Sequence, residues 1–295
     1  MNSAHELDYQ RRVAATGATR FLPGSTVEII SEAGPRRHPR YAVFDFDGTL
    51  SLIREGWPEI MLPMMVAALR ETGTSETDAQ LAELANGFIM ELTGKQTIYQ
   101  MIRLCDEIRR RGGSPEDPVV YKQRYHDLLM ARINSRREAL RTGSASAADM
   151  LVPGSVEILS GLQQCGVELY LASGTDEQYV REEVELLGLQ PFFGRHVYGA
   201  VDDYRKFSKQ MVIERILREN QVDGSVLLGF GDGYVEIDNI RQAGGTAIGV
   251  ASDEAHRSGR PDPWKRDRLI GVGAHIIIPD FQHAAILLRY LRDGV

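Results

Sequence analysis

Hydrophobic and polar positions follow two different rhythms along the chain, and the change between them divides it into parts. Short, nearly continuous apolar runs predict buried strands, and the first with the character of a core strand is "YAVF" at residues 41–44. Between residues 57 and 141 the apolar positions instead follow a helical period, and glycine-containing breaks separate four predicted helices. The pattern therefore predicts a helical insert directly after the first core strand.

Beyond about residue 150, short apolar strands alternate with helical segments. This alternation is typical of a parallel sheet that carries helices on both faces. The predicted strands are "VELYLAS" (167–173), "RHVYGA" (195–200), "SVLLGFGD" (225–232), "TAIGVAS" (246–252) and "AHIIIPD" (274–280). The fold class expected from this pattern is α/β, with an all-α insert.

Three parts of the chain follow from these patterns. Residues 41–52 and 150–295 are predicted to form the α/β core, and residues 53–149 the α-helical cap. Residues 1–40 form an N-terminal extension, in which "TVEII" at residues 26–30 has the character of a strand. A hairpin between this run and "YAVF" is expected across the Gly/Pro-rich segment that separates them.

Charge and composition narrow the class of partner. The chain has 295 residues and a formal net charge of −7, which argues against a main role in binding nucleic acid or an anionic membrane. Its two cysteines form neither a metal pattern nor a disulfide framework. The N-terminus lacks the apolar stretch of a secretion signal, and no run is long enough for a membrane span. We expect a cytoplasmic protein that acts on a small molecule, with its oligomeric state open.

Polar residues follow several of the predicted strands. Asp45 and Asp47 come after the first core strand, Ser173 and Gly174 close the second, and Asp232 follows a later one. In open parallel sheets ligands bind beyond the carboxyl ends of the strands, so these residues are expected to meet. Carboxylates gathered there repel one another unless a cation lies among them. Oxygen ligands without a histidine or cysteine cluster indicate Mg²⁺, and hence metal-assisted chemistry on a phosphate.

The two aspartates are two residues apart, so strand alternation directs both to the same side. One carboxylate is expected to attack phosphorus and form an aspartyl-phosphate, while the other donates and then accepts a proton. Gly48 permits a sharp turn that brings backbone amides close to the phosphate. The Ser173 hydroxyl and a lysine, Lys206 or Lys209, are expected to hold phosphate oxygens.

Four segments carry a resemblance to a known family. "FDFDGTL", "LASGT", a following lysine and "GFGDGYVEID" resemble, in order and spacing, the signature segments of the haloacid dehalogenase superfamily. The helical insert is similar to the cap of members such as phosphoglycolate phosphatase and beta-phosphoglucomutase. The resemblance implies a Rossmann-like, doubly wound parallel sheet with an inserted all-α cap.

The resemblance also implies roles for individual residues. Asp45 would be the nucleophile, Asp47 the general acid/base and Ser173 a phosphate-binding hydroxyl. Mg²⁺ would be held by Asp45, the backbone carbonyl of Asp47, and Asp232. Further phosphate contacts are expected from the residues around these segments, namely Gly48, Thr49, Gly174 and Lys209.

Two positions depart from the family pattern. Glu236 stands where members often have an aspartate, and it would reach a metal-bound water rather than the metal. The lysine segment lacks the proline that follows the lysine in many relatives. Lys209 fits the family's spacing to Asp232 better than Lys206, which is the second choice.

Substrate-selecting groups are expected in the cap. The loop "TGKQT" at residues 93–97 lies where relatives often place such groups, so Lys95 and Gln96 are candidates to meet the leaving group. Arg54 follows the first motif at the entry to the cap, where it is a candidate to contact a second anionic group of the substrate.

The leading hypothesis is a Mg²⁺-dependent phosphatase of a small metabolite such as a sugar or polyol phosphate. A phosphomutase shares the same core and both aspartates. A phosphonatase would need a cap lysine for a Schiff base, for which Lys95 is the candidate. A regulatory relative that binds phosphate without turnover would be expected to lack the nucleophile or the acid, and Asp45 and Asp47 are both present.

Overall fold

A computed structural model describes residues 8–13, 19–32 and 38–293 of the chain. Its strands are β1 (Arg20–Phe21), β2 (Glu28–Ile29), β3 (Tyr41–Phe44), β4 (Glu168–Asp176), β5 (Val197–Ala200), β6 (Leu227–Gly231), β7 (Thr246–Val250) and β8 (Ile276–Ile278). They form one sheet in the order β1-β2-β8-β7-β6-β3-β4-β5. All neighbours from β8 to β5 are parallel, and the two short N-terminal strands are antiparallel.

The helices fall into a cap group and a core group. In the cap they are α1 (Trp57–Arg70), α2 (Asp78–Glu91), α3 (Thr97–Arg110) and α4 (Pro118–Arg141). In the core they are α5 (Ser155–Gln164), α6 (Glu177–Leu186), α7 (Gln190–Phe193), α8 (Lys209–Asn220), α9 (Tyr234–Gln242), α10 (Pro263–Gly271) and α11 (Ala284–Asp293). None of the helices in the described part of the chain is both long and apolar enough to cross a membrane.

The sheet is covered on both faces, and strand alternation in β3 shows why. Ala42 and Phe44 pack in one buried cluster with residues of α5 and α11, whereas Tyr41 and Val43 pack in a second cluster with residues of α8, α9 and α10. Successive side chains of a strand point to opposite faces, so an all-apolar strand requires helices on both sides. The predicted doubly wound α/β core is confirmed.

The four cap helices α1 to α4 follow β3 in the chain, as the helical periodicity predicted, and α5 of the core comes between them and β4. Their ends follow ordinary capping chemistry. Thr77 and Gln80 form a capping box at the start of α2, and Asp117 accepts a hydrogen bond from Val119 before α4, which begins with Pro118. The all-α insert after the first core strand is therefore confirmed, while the domain boundaries at residues 41–52, 53–149 and 150–295 stay a prediction.

The predicted hairpin between residues 26–30 and β3 is wrong. β2 pairs antiparallel with β1 and with β8, and β3 lies between β4 and β6. Both edges of β3 are taken by parallel partners, which leaves the free edge of β8 for the N-terminal strand. Glu28 anchors it there, because its buried carboxylate accepts hydrogen bonds from the Arg266 guanidinium. Part of the intervening Gly/Pro-rich segment, residues 33–37, lies outside the described residues.

Phe44 joins the strand to the core most directly. Its side chain is fully buried and stacks on Phe230 with ring centroids 4.3 Å apart. We expect Phe44→Ala to lower the free energy of unfolding by about 3–5 kcal/mol, because the cavity is closed in by neighbouring strands. Urea denaturation followed by circular dichroism measures this change. Phe21→Ala, at a residue whose side chain is 58% exposed, is the matched control and should stay within about 0.5 kcal/mol of the parent.

Candidate active site

The carboxyl ends of β3, β4 and β6 lie side by side and form the floor of a cavity of about 110 Å³. Asp45 directly follows β3, and its backbone N–H donates to the Phe230 carbonyl of β6 at 2.9 Å. Ser173 belongs to β4 and Asp232 follows β6, and both line the same cavity. The cap closes the other side with residues of α1, α3 and α4. The cavity thus lies where the strand-end rule places a ligand.

Asp45 is held by a lysine at the start of α8. The Lys209 ammonium lies 2.9 Å from Asp45 Oδ1, and both side chains are buried. Burial raises the pKa of the Asp45 carboxyl, and the Lys209 charge opposes that rise by favouring the carboxylate. Lys209 also contacts the buried Glu236 carboxylate, and the predicted contact of Glu236 with a metal-bound water stays a prediction.

Asp47 has different partners from Asp45. The Thr175 hydroxyl donates to Asp47 Oδ2 at 2.8 Å, while Oδ1 has no hydrogen-bond partner among the described residues. Burial raises the pKa of the Asp47 carboxyl to about 7, against the opposing effect of the Arg54 guanidinium, whose Nε lies 3.7 Å from Oδ1. At neutral pH this carboxyl is therefore able both to give and to accept a proton.

Asp232 is fixed by groups that the sequence pattern did not reveal. The Lys265 ammonium donates to Asp232 Oδ2 at 2.7 Å and to Glu254 Oε1 at 2.6 Å. Burial disfavours the charged lysine, but the two carboxylates outweigh this effect and raise the pKa of Lys265. Glu254 lies four residues after the end of β7, so extending the strand-end rule to β7 would have pointed to it. Lys265 lies in the first turn of α10 and had no such signal.

The turn after β3 differs in detail from the predicted phosphate cradle. Gly48 has a φ of 71°, and a Cβ there would lie 2.3 Å from Asp232 Oδ2, so only glycine fits. Its N–H, however, donates to the Ser51 carbonyl at 2.9 Å and closes the turn instead of facing the cavity. Thr49 is fully buried, and its hydroxyl accepts from the Asp232 backbone N–H at 3.0 Å. Both residues therefore shape the site, and the predicted contact of Thr49 with phosphate is wrong.

The end of β4 supplies three consecutive groups that line the cavity. The Ser173 hydroxyl lies there and accepts a hydrogen bond from the Thr175 backbone N–H at 3.1 Å. Gly174 is packed under the cap, since a Cβ on it would lie 3.1 Å from the Lys95 carbonyl oxygen. The Thr175 side chain is turned toward Asp47, a role that the sequence did not show although the residue stands at a strand end.

The cap loop at residues 93–97 contacts the core, but not with the predicted side chains. Lys95 is directed away from the cavity, where its ammonium donates to Asp8 at 2.7 Å. Gln96 donates to the Phe207 carbonyl at 2.7 Å and so ties the loop to the segment before α8. Neither side chain lines the cavity, and the prediction that they meet the leaving group is wrong. Thr93, Gly94 and Thr97 are the residues of this loop that line it.

Arg54 and Lys206 also differ from expectation. Arg54 lines the cavity, but its guanidinium forms two hydrogen bonds to the buried Glu183 carboxylate, at 3.1 and 2.8 Å. It is thus occupied by the protein rather than offered to a second anionic group of the substrate. Lys206 is exposed and lies 3.5 Å from Asp203, outside the cavity, so the structure brings Lys209 and not Lys206 to Asp45.

The residues around Asp45 suit a hard divalent cation. Among the described residues, no three carboxylate, imidazole or thiolate side chains converge to form a metal site by themselves. Mg²⁺ does not require this, because it commonly takes one or two protein carboxylates and completes its shell with water and substrate phosphate. Asp45 and Asp232 are close enough for the Asp232 charge to raise the pKa of Asp45. Oδ1 of Asp47 accepts no hydrogen bond from the described residues, so the site holds more acceptor oxygens than donors to satisfy them. The donor set is therefore compatible with Mg²⁺.

Solved structures of other proteins share this fold. A predicted phosphatase from Clostridium acetobutylicum is 16% identical, with a TM-score of 0.55, and the alignment covers 86% of this chain and 100% of that one. A predicted phosphoglycolate phosphatase from Haemophilus somnus is 18% identical, with a TM-score of 0.53 and coverage of 84% and 96%. A protein from Bacteroides vulgatus proposed to be a beta-phosphoglucomutase is 12% identical, with a TM-score of 0.53 and coverage of 88% and 92%. At these identities the similarity shows the shared fold.

The family itself is shown by sequence. No curated protein matches the chain. The model of the family described as haloacid dehalogenase-like hydrolase matches residues 39–244, which is well over half of the chain and includes Asp45, Asp47, Ser173, Lys209 and Asp232. The chain therefore belongs to the haloacid dehalogenase-like hydrolases.

Proposed function

We propose that this protein is a Mg²⁺-dependent phosphatase of small phosphomonoesters, with a sugar or polyol phosphate as substrate. One observation carries the proposal: Asp45 and Asp47 line the same cavity but have different partners. Burial raises the pKa of both carboxyls. An ammonium group 2.9 Å from Asp45 favours the carboxylate form there, whereas Asp47 accepts a hydrogen bond from a hydroxyl, lies 3.7 Å from the Arg54 guanidinium and has a pKa of about 7. Two carboxyl groups whose environments differ in this way are suited to separate chemical roles.

In the first half of the reaction the Asp45 carboxylate attacks phosphorus and the bond to the leaving oxygen breaks. Lys209, 2.9 Å from Asp45, holds a phosphate oxygen and the charge that develops on it, while the Ser173 hydroxyl binds from β4. Protonated Asp47 gives its proton to the leaving oxygen. The products of this step are an aspartyl-phosphate and the free alcohol.

In the second half Asp47, now ionised, removes a proton from water as the water attacks the aspartyl-phosphate. Asp45 is released as a carboxylate and inorganic phosphate leaves. Mg²⁺ held by Asp45, Asp232 and the backbone carbonyl of Asp47 would neutralise phosphate charge and favour the ionised form of Asp45. Thr49 and Lys265 contribute by holding Asp232 in place.

Two alternatives within the family differ in their support. A phosphomutase would use the same aspartates, and one structural relative is named as such, so it is the runner-up. A phosphonatase would need a lysine in the cavity for a Schiff base, and the cap candidate Lys95 is directed to Asp8 instead. A small phosphorylated metabolite as the partner, with neither nucleic acid nor membrane, and a cytoplasmic location remain part of the proposal.

Release of p-nitrophenol and inorganic phosphate from p-nitrophenyl phosphate tests the function. With Mg²⁺ we expect turnover, and after removal of the metal with EDTA we expect a loss of about 100-fold, since a bound metal contributes several kcal/mol to charge stabilisation. Re-addition of Mg²⁺ should restore the rate, which excludes damage by the chelator. Absence of phosphate release from a broad panel of phosphomonoesters would contradict the proposal. Conversion of a sugar phosphate to its isomer without phosphate release would favour the mutase.

A further inference from the structure

The charged groups around the cavity are unevenly divided. Five carboxylates line it, from Asp45, Asp47, Glu55, Asp232 and Glu254. Among the described residues that line it, the cations are Arg54 and Lys209. Two further cations pair with these carboxylates from outside the lining, Lys265 with Asp232 and Glu254 and Arg136 with Glu55. A divalent metal ion and a doubly charged phosphate cancel each other, so the cavity has no excess of positive charge with which to attract another anionic group.

Each of these cations is already engaged by the protein. The Arg54 guanidinium donates two hydrogen bonds to Glu183, whose side chain is fully buried, and lies 3.7 Å from Asp47. Lys209 lies between Asp45 and Glu236. A guanidinium that forms two parallel hydrogen bonds with a buried carboxylate is a poor partner for a second anion, because binding the anion would separate a desolvated pair.

Helices α1, α3 and α4 of the cap form one wall of the cavity, and the side chains that they contribute carry no charge. Its side chains are Trp57 and Met61 of α1, Tyr125 and Leu129 of α4, and Thr97 and Gln100 of α3. We call these six residues the leaving-group wall. Four of them are aromatic or aliphatic, and three, including Tyr125, bear a hydroxyl or an amide. Such a surface suits an uncharged group with an apolar face and a few hydroxyls.

A side chamber adjoins the cavity through Arg54, Tyr125 and Thr175 and has the same character. Its two further charged residues, Lys122 and Asp176, form an ion pair with each other. His126 stacks on Tyr179 with ring centroids 4.2 Å apart, and burial lowers the pKa of His126, so the imidazole is uncharged at neutral pH. The chamber extends the cavity with aromatic faces rather than with an available cation.

We propose that the site selects phosphomonoesters whose leaving group is uncharged, and that the buried Glu183 enforces this choice by occupying Arg54. This inference rests on the proposed phosphatase function and narrows its substrate class. A second phosphate or a carboxylate on the leaving group would be placed against the leaving-group wall or near the five carboxylates, where each cation is already paired with a carboxylate of the protein. Substrates such as neutral polyol phosphates avoid that cost, since their hydroxyls can meet Thr97 and Gln100.

Matched substrate pairs test the selectivity in the wild-type protein with Mg²⁺. Glycerol 3-phosphate and 3-phosphoglycerate differ in one hydroxymethyl group replaced by a carboxylate, and 2-hydroxyethyl phosphate and phosphoglycolate form a second such pair. We expect kcat/KM for the neutral member to exceed that for the carboxylate by at least about 10-fold in each pair, because the added charge is desolvated without a partner. Equal values, or a preference for the carboxylates, would overturn the selectivity while leaving the phosphatase intact. If the protein releases phosphate neither from these four compounds nor from any other phosphomonoester, the phosphatase function is overturned and the selectivity with it.

Glu183→Gln tests the role assigned to Glu183. The amide keeps the shape of the side chain but removes the charge that occupies Arg54. We expect the ratio of kcat/KM for 3-phosphoglycerate to that for glycerol 3-phosphate to rise by about 10-fold, because Arg54 then becomes available to the carboxylate. An unchanged ratio in a folded variant would overturn the role of Glu183, because a purely structural contact would lower both rates together.

A second pair of variants tests the selectivity even if loss of the buried ion pair between Arg54 and Glu183 prevents folding. Leu129→Lys adds a cation to the leaving-group wall, while Leu128→Lys adds the same charge one residue earlier, at a side chain that is 46% exposed. We expect the ratio of kcat/KM for 3-phosphoglycerate to that for glycerol 3-phosphate to rise about 10-fold in Leu129→Lys, because the new ammonium can pair with the carboxylate of the substrate. The same ratio should stay unchanged in Leu128→Lys. Equal ratios in the two variants would contradict an electrostatic origin of the selectivity.

Discussion

Asp45→Asn is expected to release phosphate from p-nitrophenyl phosphate at least about 10⁴-fold more slowly than the wild type, because loss of a covalent nucleophile removes the whole reaction path. The amide has nearly the shape of the carboxylate, so the substitution tests chemistry rather than packing. Lys209 keeps its contact with Glu236 in the variant, and the ammonium therefore does not become an isolated buried charge. We expect the variant to fold, with a far-ultraviolet circular dichroism spectrum equal to that of the wild type.

A second readout identifies the step that is lost. Wild-type protein quenched during turnover of ³²P-labelled substrate should carry a label that hydroxylamine removes, as an acyl phosphate does, and Asp45→Asn should carry none. Asp127→Asn is the matched control, because Asp127 is exposed on α4 and lies outside the cavity. It should retain both the rate and the label. A rate for Asp45→Asn within about 10-fold of the wild type would show that another group attacks phosphorus.

Much of the core was predictable because each of its strands is an almost unbroken apolar run. A strand of this kind needs cover on both faces, so residues 41–44 and the later runs, alternating with helical segments, indicate a parallel sheet between two layers of helices. Asp45 and Asp232 then follow from geometry, since the ends of parallel strands meet at one edge. The edge strand β2 was mispaired because a two-residue strand carries almost no register information, and its neighbour is decided by which sheet edge is free.

The polar contacts of the site were less predictable, for a physical reason. The end of a strand fixes the position of a residue's backbone. A side chain with several rotatable bonds can still reach partners that are distant in the sequence. Lys95 stands in the expected loop and still reaches Asp8, and Lys265 reaches Asp232 from the first turn of a helix 33 residues later. Thr49 follows Gly48 in the turn after β3, and its hydroxyl accepts a hydrogen bond from the Asp232 backbone N–H. The spacing of residues in the sequence therefore predicts where the backbone of the site lies, but not which partners these side chains contact.

Asp47→Asn is expected to separate the two halves of the reaction. Turnover of p-nitrophenyl phosphate should fall by about 10³-fold, within the range that general acid–base catalysis contributes. Formation of the aspartyl-phosphate from p-nitrophenyl phosphate should still occur in the variant, because nitrophenolate leaves without needing a proton. The second step should not, because asparagine cannot remove a proton from the attacking water. The expected result is a burst of nitrophenolate equal in amount to the active sites, followed by very slow release of phosphate.

An alkyl phosphate such as glycerol 3-phosphate should give no burst with this variant, because its leaving oxygen requires the proton that Asp47 supplies. The wild type gives the complementary pH dependence. Since burial raises the pKa of Asp47 to about 7, the protonated form needed for alkyl substrates is lost as the pH rises above that value, whereas the ionised form needed for hydrolysis of the aspartyl-phosphate is lost as the pH falls below it. Stopped-flow absorbance and phosphate-release assays at several pH values measure both effects. Equal loss of the burst and of the steady rate would assign Asp47 to phosphate binding instead of proton transfer.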